Sequence, residues 1–274
     1  MLQKVPFTNL FAMAVTLSVC VLVPVLLSVF LCKKTKGRVL YILVGAVTFI
    51  AAVLILESLL QQAVLSIFGE RLTGNIWLYA AFGGLSAGLF EETGRYISMR
   101  FIMKKDLSKR NALMYGLGHA GAEALLIGGM TYVSNIVITV LINTGRLEPM
   151  LAELDGSVAQ QVITQYSALW ELPWLDFLLA GVERTFAFLL QLCLSYVVYR
   201  AVKYRKPMLF VLAVLLHFTA DAGLVLLMKK AELPAVAVEL VLVVFTVCFT
   251  VIVYKKYKAE KEEVPEIREP QIIW

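Results

Sequence analysis

Seven stretches of this chain run apolar for about 20 residues or more, long enough for a helix to cross the hydrocarbon core of a bilayer. Inside lipid every backbone amide must be satisfied within the protein. Segments of this length and composition therefore leave helices as the available solution. The expected fold class is all-α, a polytopic integral membrane protein with about seven transmembrane helices. The spans are read as 8–32, 39–68, 76–103, 111–143, 174–199, 208–228 and 234–254. A single transmembrane helical domain over 1–254 is expected, with a catalytic-like core over about 76–228 and a charged cytoplasmic tail over 255–274.

Composition agrees. Of 274 residues, 60% are hydrophobic and 16% charged, against about 45–50% and about 25% in soluble domains. A soluble globular enzyme, a nucleic-acid binder and a disordered tail protein are all excluded, and no nucleic-acid partner is expected. The net charge of +5 comes from loop lysines and arginines. Seventeen basic residues follow spans 1, 3, 5 and 7, five lie on the other side, and Arg95, Arg100 and Arg184 fall within spans. The positive-inside rule then puts the N-terminus outside and the C-terminus in the cytoplasm. The first span lacks a basic n-region and a small-residue cleavage site, so it reads as a retained helix. Cys20, Cys32, Cys193 and Cys248 show no metal or disulfide spacing and read as apolar fillers. In the external loop 144–173, Leu147, Met150, Leu151 and Leu154 are spaced like a short amphipathic helix, read as a plain connector.

Ionisable side chains in a hydrocarbon region cost at least about 2.5–3.5 kcal/mol each, so each is a functional candidate. Span 3 carries Glu91, Glu92 and Arg95, span 4 His119 and Glu123, span 5 Glu183 and Arg184, and span 6 His217 and Asp221. Glu57 and Glu239 also fall in spans, near an outer end or alone. Glu91/Arg95, His119/Glu123 and His217/Asp221 are each four apart, so each pair shares one helix face. Counted from the basic ends, His119, His217, Glu123, Glu91 and Asp221 lie about 12, 15, 18, 20 and 21 Å deep. The only two histidines of the chain thus sit in one polar layer, each with an acid one turn later. The histidines lie nearer the cytoplasmic face, so the site is expected to open that way.

Paired carboxylates with two imidazoles suit the activation of water. One acid can act as base while another holds a proton. His119 and His217 with Asp221, or with Glu92 or Glu123 in its place, could equally form a His₂-carboxylate site for Zn²⁺ with an open position. Both a metal-free and a metal-assisted hydrolysis are compatible with these residues. The chain has no His-Glu-x-x-His. Gly84-Leu-Ser86-Ala-Gly88 matches Gly-x-Ser-x-Gly, but inside an expected helix it lacks the elbow that motif requires and reads as packing. The same buried Glu/His/Asp chain would also suit a proton- or ion-coupled transporter. A non-catalytic immunity or binding protein on the same fold is a third reading.

Three segments resemble the motifs of the CAAX-protease and bacteriocin-processing (CPBP/Abi) intramembrane proteases. They are Glu91-Glu92-Thr93-Gly94-Arg95, Tyr115-Gly116-Leu117-Gly118-His119-Ala120-Gly121-Ala122-Glu123 and His217-Phe218-Thr219-Ala220-Asp221. The resemblance runs from about residue 80 to 225 and is nearest the YhfC-like branch. It implies an intramembrane endopeptidase of a bacterial cytoplasmic membrane, acting on membrane proteins or lipidated peptides. It further implies that Glu91 activates water, that His119, His217 and Asp221 complete the site, and that Glu92 and Arg95 support it. The broader family is described both as metalloproteases and as glutamate-type proteases, which leaves Zn²⁺ and a metal-free site both open. Two departures stand out. Arg95 comes one residue earlier than in the broad Glu-Glu-x-x-x-Arg pattern, and Gln191 stands where the resemblance implies a histidine closing the span-5 motif.

Overall fold

The computed structural model describes residues 2–261, and among these residues the secondary structure is helical. The long helices are α1 (Phe7–Thr35), α2 (Leu40–Thr73), α3 (Ile76–Ile97, continued by the π-helical turn Ser98–Ile102) and α4 (Lys109–Asn143). Three short helices follow: α5 (Leu147–Ala152), α6 (Gly156–Tyr166) and α7 (Ala168–Glu171). The chain then forms α8 (Trp174–Lys203), α9 (Pro207–Lys229) and α10 (Ala235–Ala259). Large side chains such as Leu22, Leu26, Leu43, Leu240 and Val244 remain more than half exposed on the outside of this bundle. On a soluble protein so much exposed apolar surface would cause aggregation; here it is the lipid-facing wall of a multi-pass membrane protein.

Among the described residues six helices, α1, α2, α4, α8, α9 and α10, are long and apolar enough to cross a membrane. The remaining expected span, 76–103, is α3, whose apolar run is interrupted by Glu91, Glu92 and Arg95. At 22 residues, with five more in its π-helical turn, α3 is nevertheless as long as α9, which has 23. Asn75 caps its start, accepting from the amides of Trp77 and Leu78, and just past its far end Asp106 pairs with Arg38 at 2.5 Å. The basic segments after α1, α3 and α8 and at the end of α10 meet at this same end of the bundle, as the charge count anticipated. Of the expected tail 255–274, residues up to Ala259 extend α10, and 262–274 lie outside the described residues.

Two close helix crossings position the interior. At the first, a Cβ on Gly45 would lie 2.0 Å from the Tyr115 carbonyl oxygen, and one on Gly118 1.7 Å from that of Ile42. Only glycine admits such an approach of α2 to α4, and it carries His119 into the core. At the second, Gly84 and Gly88 let α3 lie against the backbone of α9 at Phe218, Ala222 and Val214. This crossing brings the span-3 acids next to His217. Interior π-helical turns, Ile50–Glu57 in α2 and Ala124–Gly129 in α4, flank the same region, a placement common beside functional sites.

The loop 144–173 forms three short helices rather than one. Leu147, Leu151 and Leu169 are buried against Val5, Met13, Tyr132 and Phe177, whereas Met150 and Leu154 stay exposed. Asn9 ties this cap down, donating through Nδ2 to the carbonyls of Leu169 at 3.0 Å and Leu172 at 2.9 Å.

Candidate active site

The polar layer expected from residue spacing is assembled. Glu91, Glu92, Arg95, His119 and His217 are each 5% exposed or less, and they converge from α3, α4 and α9. His119 Nε2 lies 2.9 Å from Glu91 Oε2. His217 Nδ1 lies 2.9 Å from Glu92 Oε1, which turns its Nε2 towards Glu91 Oε1 at 3.8 Å and Asp221 Oδ2 at 3.5 Å. Arg95 spans both acids, with Nη2 3.8 Å from Glu91 and Nη1 3.4 Å from Glu92. The Phe49 ring meets His119 edge-on, with centroids 5.2 Å apart, and limits the imidazole's rotation.

Gln191, read from the sequence as a departure, is at the centre of the network. Its Nε2 donates to Glu91 Oε2 at 2.9 Å and to Glu123 Oε2 at 2.7 Å, while its Oε1 accepts from Arg95 Nη2 at 2.6 Å. Its backbone carbonyl accepts from Arg95 Nη1 at 3.3 Å. A carboxamide has both donors and an acceptor, so it can join two carboxylates to one guanidinium without adding charge. Arg184 closes the far side by donating to Glu123 Oε1 at 3.3 Å and to the neighbouring Glu183.

Of these groups Glu91, Glu123, Glu183, Arg184, Gln191, His217 and Asp221 line a cavity of about 400 Å³. It also takes in Glu57, which the sequence placed apart from the others. Glu57 Oε1 accepts from Gln61 Nε2 at 2.8 Å and from Ser86 Oγ at 3.0 Å, and its Oε2 has no hydrogen-bond partner. Ser86 is therefore a hydrogen-bonding partner of a buried acid on the α2–α3 contact. The signal that could have found Glu57 was its place inside an apolar run, which residue spacing alone does not connect to a site on other helices.

The direction of the cavity corrects one expectation. Gln61, Ile127, Glu183 and Leu224 line it and are farther along their helices from the basic ends than either histidine. A further space of about 170 Å³ continues past Gln61 and Asp221 towards Tyr79. On the opposite side Met99, Met103, Met114, Tyr115 and Leu194 are fully buried and form a solid plug. The cavity thus extends away from the basic end, not towards it. Depth counting along single helices could not register the packed side chains beneath the imidazoles.

The donor set for a metal also differs from the spacing-based one. Among the described residues, Glu91, His119 and Glu123 bring ligand atoms within 4.8 Å of one another, whereas spacing joined His119 and His217 to Asp221, Glu92 or Glu123. The physical reason is the Nδ1 contact of His217 with Glu92, which holds that ring on the α3–α9 side. One imidazole nitrogen and two carboxylate oxygens suit a divalent ion such as Zn²⁺. His119 Nδ1 is a buried polar atom with no partner, so this imidazole's commitments all lie on its Nε2 side. The residues fit a metal.

Fold and site together define a class: a polytopic helical membrane protein with a buried carboxylate–imidazole centre on an internal cavity. Comparison with known proteins gives the family. The model of the YhfC intramembrane metalloprotease family matches residues 19–246, and the chain belongs to that family. It is 34% identical over 232 residues to the uncharacterized membrane protein YhfC of Bacillus subtilis (strain 168), an alignment covering 84% of this chain and 89% of that protein. No solved structure matches it.

Proposed function

We propose that this chain is an intramembrane endopeptidase in which Glu91 activates the attacking water. One observation carries the reading: Glu91 is buried on the cavity wall with its two oxygens in different surroundings. Oε2 is held by His119 and Gln191 and faces Arg95, while Oε1 faces His217. Oε1 is the oxygen that takes the proton from water. His217, oriented by Glu92, presents Nε2 towards Glu91 Oε1 and Asp221 and delivers the proton to the leaving amine. Arg95 and Gln191 keep Glu91 fixed, so little reorganisation is needed at the moment of reaction. Glu91, His119 and Glu123 would hold a divalent ion, which when bound would polarise the scissile carbonyl and acidify water. The substrates are peptide bonds of membrane proteins or lipidated peptides, because the cavity lies inside a bundle of helices long and apolar enough to cross a membrane.

The test is cleavage of a panel of membrane-tethered peptides by the purified protein, with metal content measured on the same samples. Glu91→Gln should lower the rate about 10²–10⁴-fold. His119→Ala should abolish cleavage and remove the metal. Cleavage by Glu91→Gln at the wild-type rate would sink the assignment.

A further inference from the structure

The basic end of the bundle holds two adjoining spaces that the proteolytic site does not use. The first is a pocket of about 630 Å³ where the loops after α1 and α3 meet the end of α10. Its walls carry seven basic side chains against two acidic ones, Asp106 and Glu260. Both acids already have partners: Asp106 pairs with Arg38 at 2.5 Å, and the Glu260 carboxylate accepts from Tyr196 at 2.7 Å and Tyr199 at 2.6 Å. The N-terminus of α4 also borders the pocket through Ser108, Lys109 and Arg110, adding the positive end of a helix dipole. Lys109 is nearly buried, held there by the carbonyls of Tyr257 and Glu260, the terminal turn of α10.

The second space is an apolar cleft of about 690 Å³ between α1, α4, α8 and α10, walled by Leu31, Leu113, Leu189, Leu192, Val253 and Tyr254. Lys36, Lys109 and Arg110 line both spaces. From Lys203, at the end of α8, Leu192 and Leu189 are about 16 and 21 Å further in. The cleft therefore runs from the basic rim through roughly one leaflet of a hydrocarbon core about 30 Å thick.

We propose that these two spaces form a single binding site for an anionic phospholipid, with the phosphate in the basic pocket and an acyl chain in the cleft. Charge complementarity selects an anionic headgroup. The continuous apolar cleft selects a lipid over a soluble phosphate, which has no apolar part to fill it. Such a lipid would hold α10 against α1, α4 and α8.

Native mass spectrometry of the full chain from detergent tests this, with phosphatidylglycerol and phosphatidylcholine supplied in equal amounts. One phosphatidylglycerol should be retained per chain, about tenfold in preference to phosphatidylcholine. Lys36→Gln with Lys105→Gln, both exposed positions, should remove most of that preference, and Leu113→Trp should reduce retention by filling the cleft. Lys33→Gln with Lys255→Gln, at the same end but off the pocket, should leave it unchanged. Equal retention of the two lipids, or an unchanged preference in the Lys36/Lys105 variant, would overturn the proposal. So would inorganic phosphate displacing the lipid at low millimolar concentration. Phosphatidylglycerol binding that appears only after residues 262–274 are removed would assign the pocket to the chain's own tail instead.

Discussion

Two adjacent layers of this bundle solve the problem of a buried interior in opposite ways. In the layer of the cavity, Glu91, Glu92, Arg95, His119, Gln191 and His217 fill the space between α3, α4, α8 and α9 with charged and polar groups. One to two helical turns towards the basic end, Met99, Met103, Met114, Tyr115 and Leu194 fill it with apolar and aromatic groups at complete burial. The two layers share helices and differ in what each side chain requires. The polar layer survives because nearly every charge has a partner of opposite sign or a hydrogen bond, and the apolar one because it leaves no gaps. Their juxtaposition gives the polar layer a sealed floor and confines its cavity to the other side.

The sharpest way to break this contrast is to remove the charge that the polar layer is built around. Arg95→Met leaves Glu91, Glu92 and the Gln191 carbonyl without their common donor, and should destabilise the fold by about 3–5 kcal/mol. Thermal unfolding in detergent, followed by circular dichroism, reads this directly. A change below about 1 kcal/mol would mean the two acids are not held as an ionic network. In the apolar layer Leu194→Ala should cost about 2–5 kcal/mol through the cavity it opens. Unlike Arg95→Met, it should leave metal content unaltered, which the same preparation shows by elemental analysis. Between the layers, Gly118→Ala pushes a methyl into the Ile42 carbonyl and should cost about 1–3 kcal/mol by forcing α2 from α4. A Tm equal to wild type would show that this crossing can relax freely.

The smallest effect lies outside the membrane-spanning helices. Burial raises the Glu260 carboxyl, but the hydroxyls of Tyr199 and Tyr196 outweigh it and hold that carboxyl below its ordinary range. A depressed carboxylate stabilises the fold above its unfolded pKa, and that contribution fades as pH falls through the folded value. Wild-type protein should therefore lose a small increment of stability as pH drops below about 4.3. Glu260→Gln should lack that increment at neutral pH, and the two unfolding curves should converge in acid. Curves that stay parallel would show that the tyrosine contacts do not depend on the charge.

Much of the site was legible before any folding was considered, because lipid makes each intramembrane charge conspicuous. Glu91, His119 and His217 were marked by cost and spacing, and the structure brings them together. Gln191 was visible only as an anomaly, since a neutral amide carries no burial penalty large enough to flag it. Glu57 read as near an outer end or alone, since its partners, Gln61 one turn away and Ser86 on another helix, form no recognisable spacing. The loop helices 147–171 were compressed into one because turns inside a polar connector leave no periodic signal.

Length and hydropathy alone determined that this chain is a helical membrane protein, and where its helices pass. An unsatisfied amide in hydrocarbon is costly for any sequence, so that conclusion needs no knowledge of contacts. The positions of the intramembrane charges, read against the same cost, determined which helices carry the polar centre. Only the tertiary structure decided which acids share an imidazole, that Gln191 joins them, and which way the cavity runs. Those outcomes depend on how closely two backbones approach at Gly45 and Gly118 and on which side chains fill the space beneath, neither of which is a property of one helix.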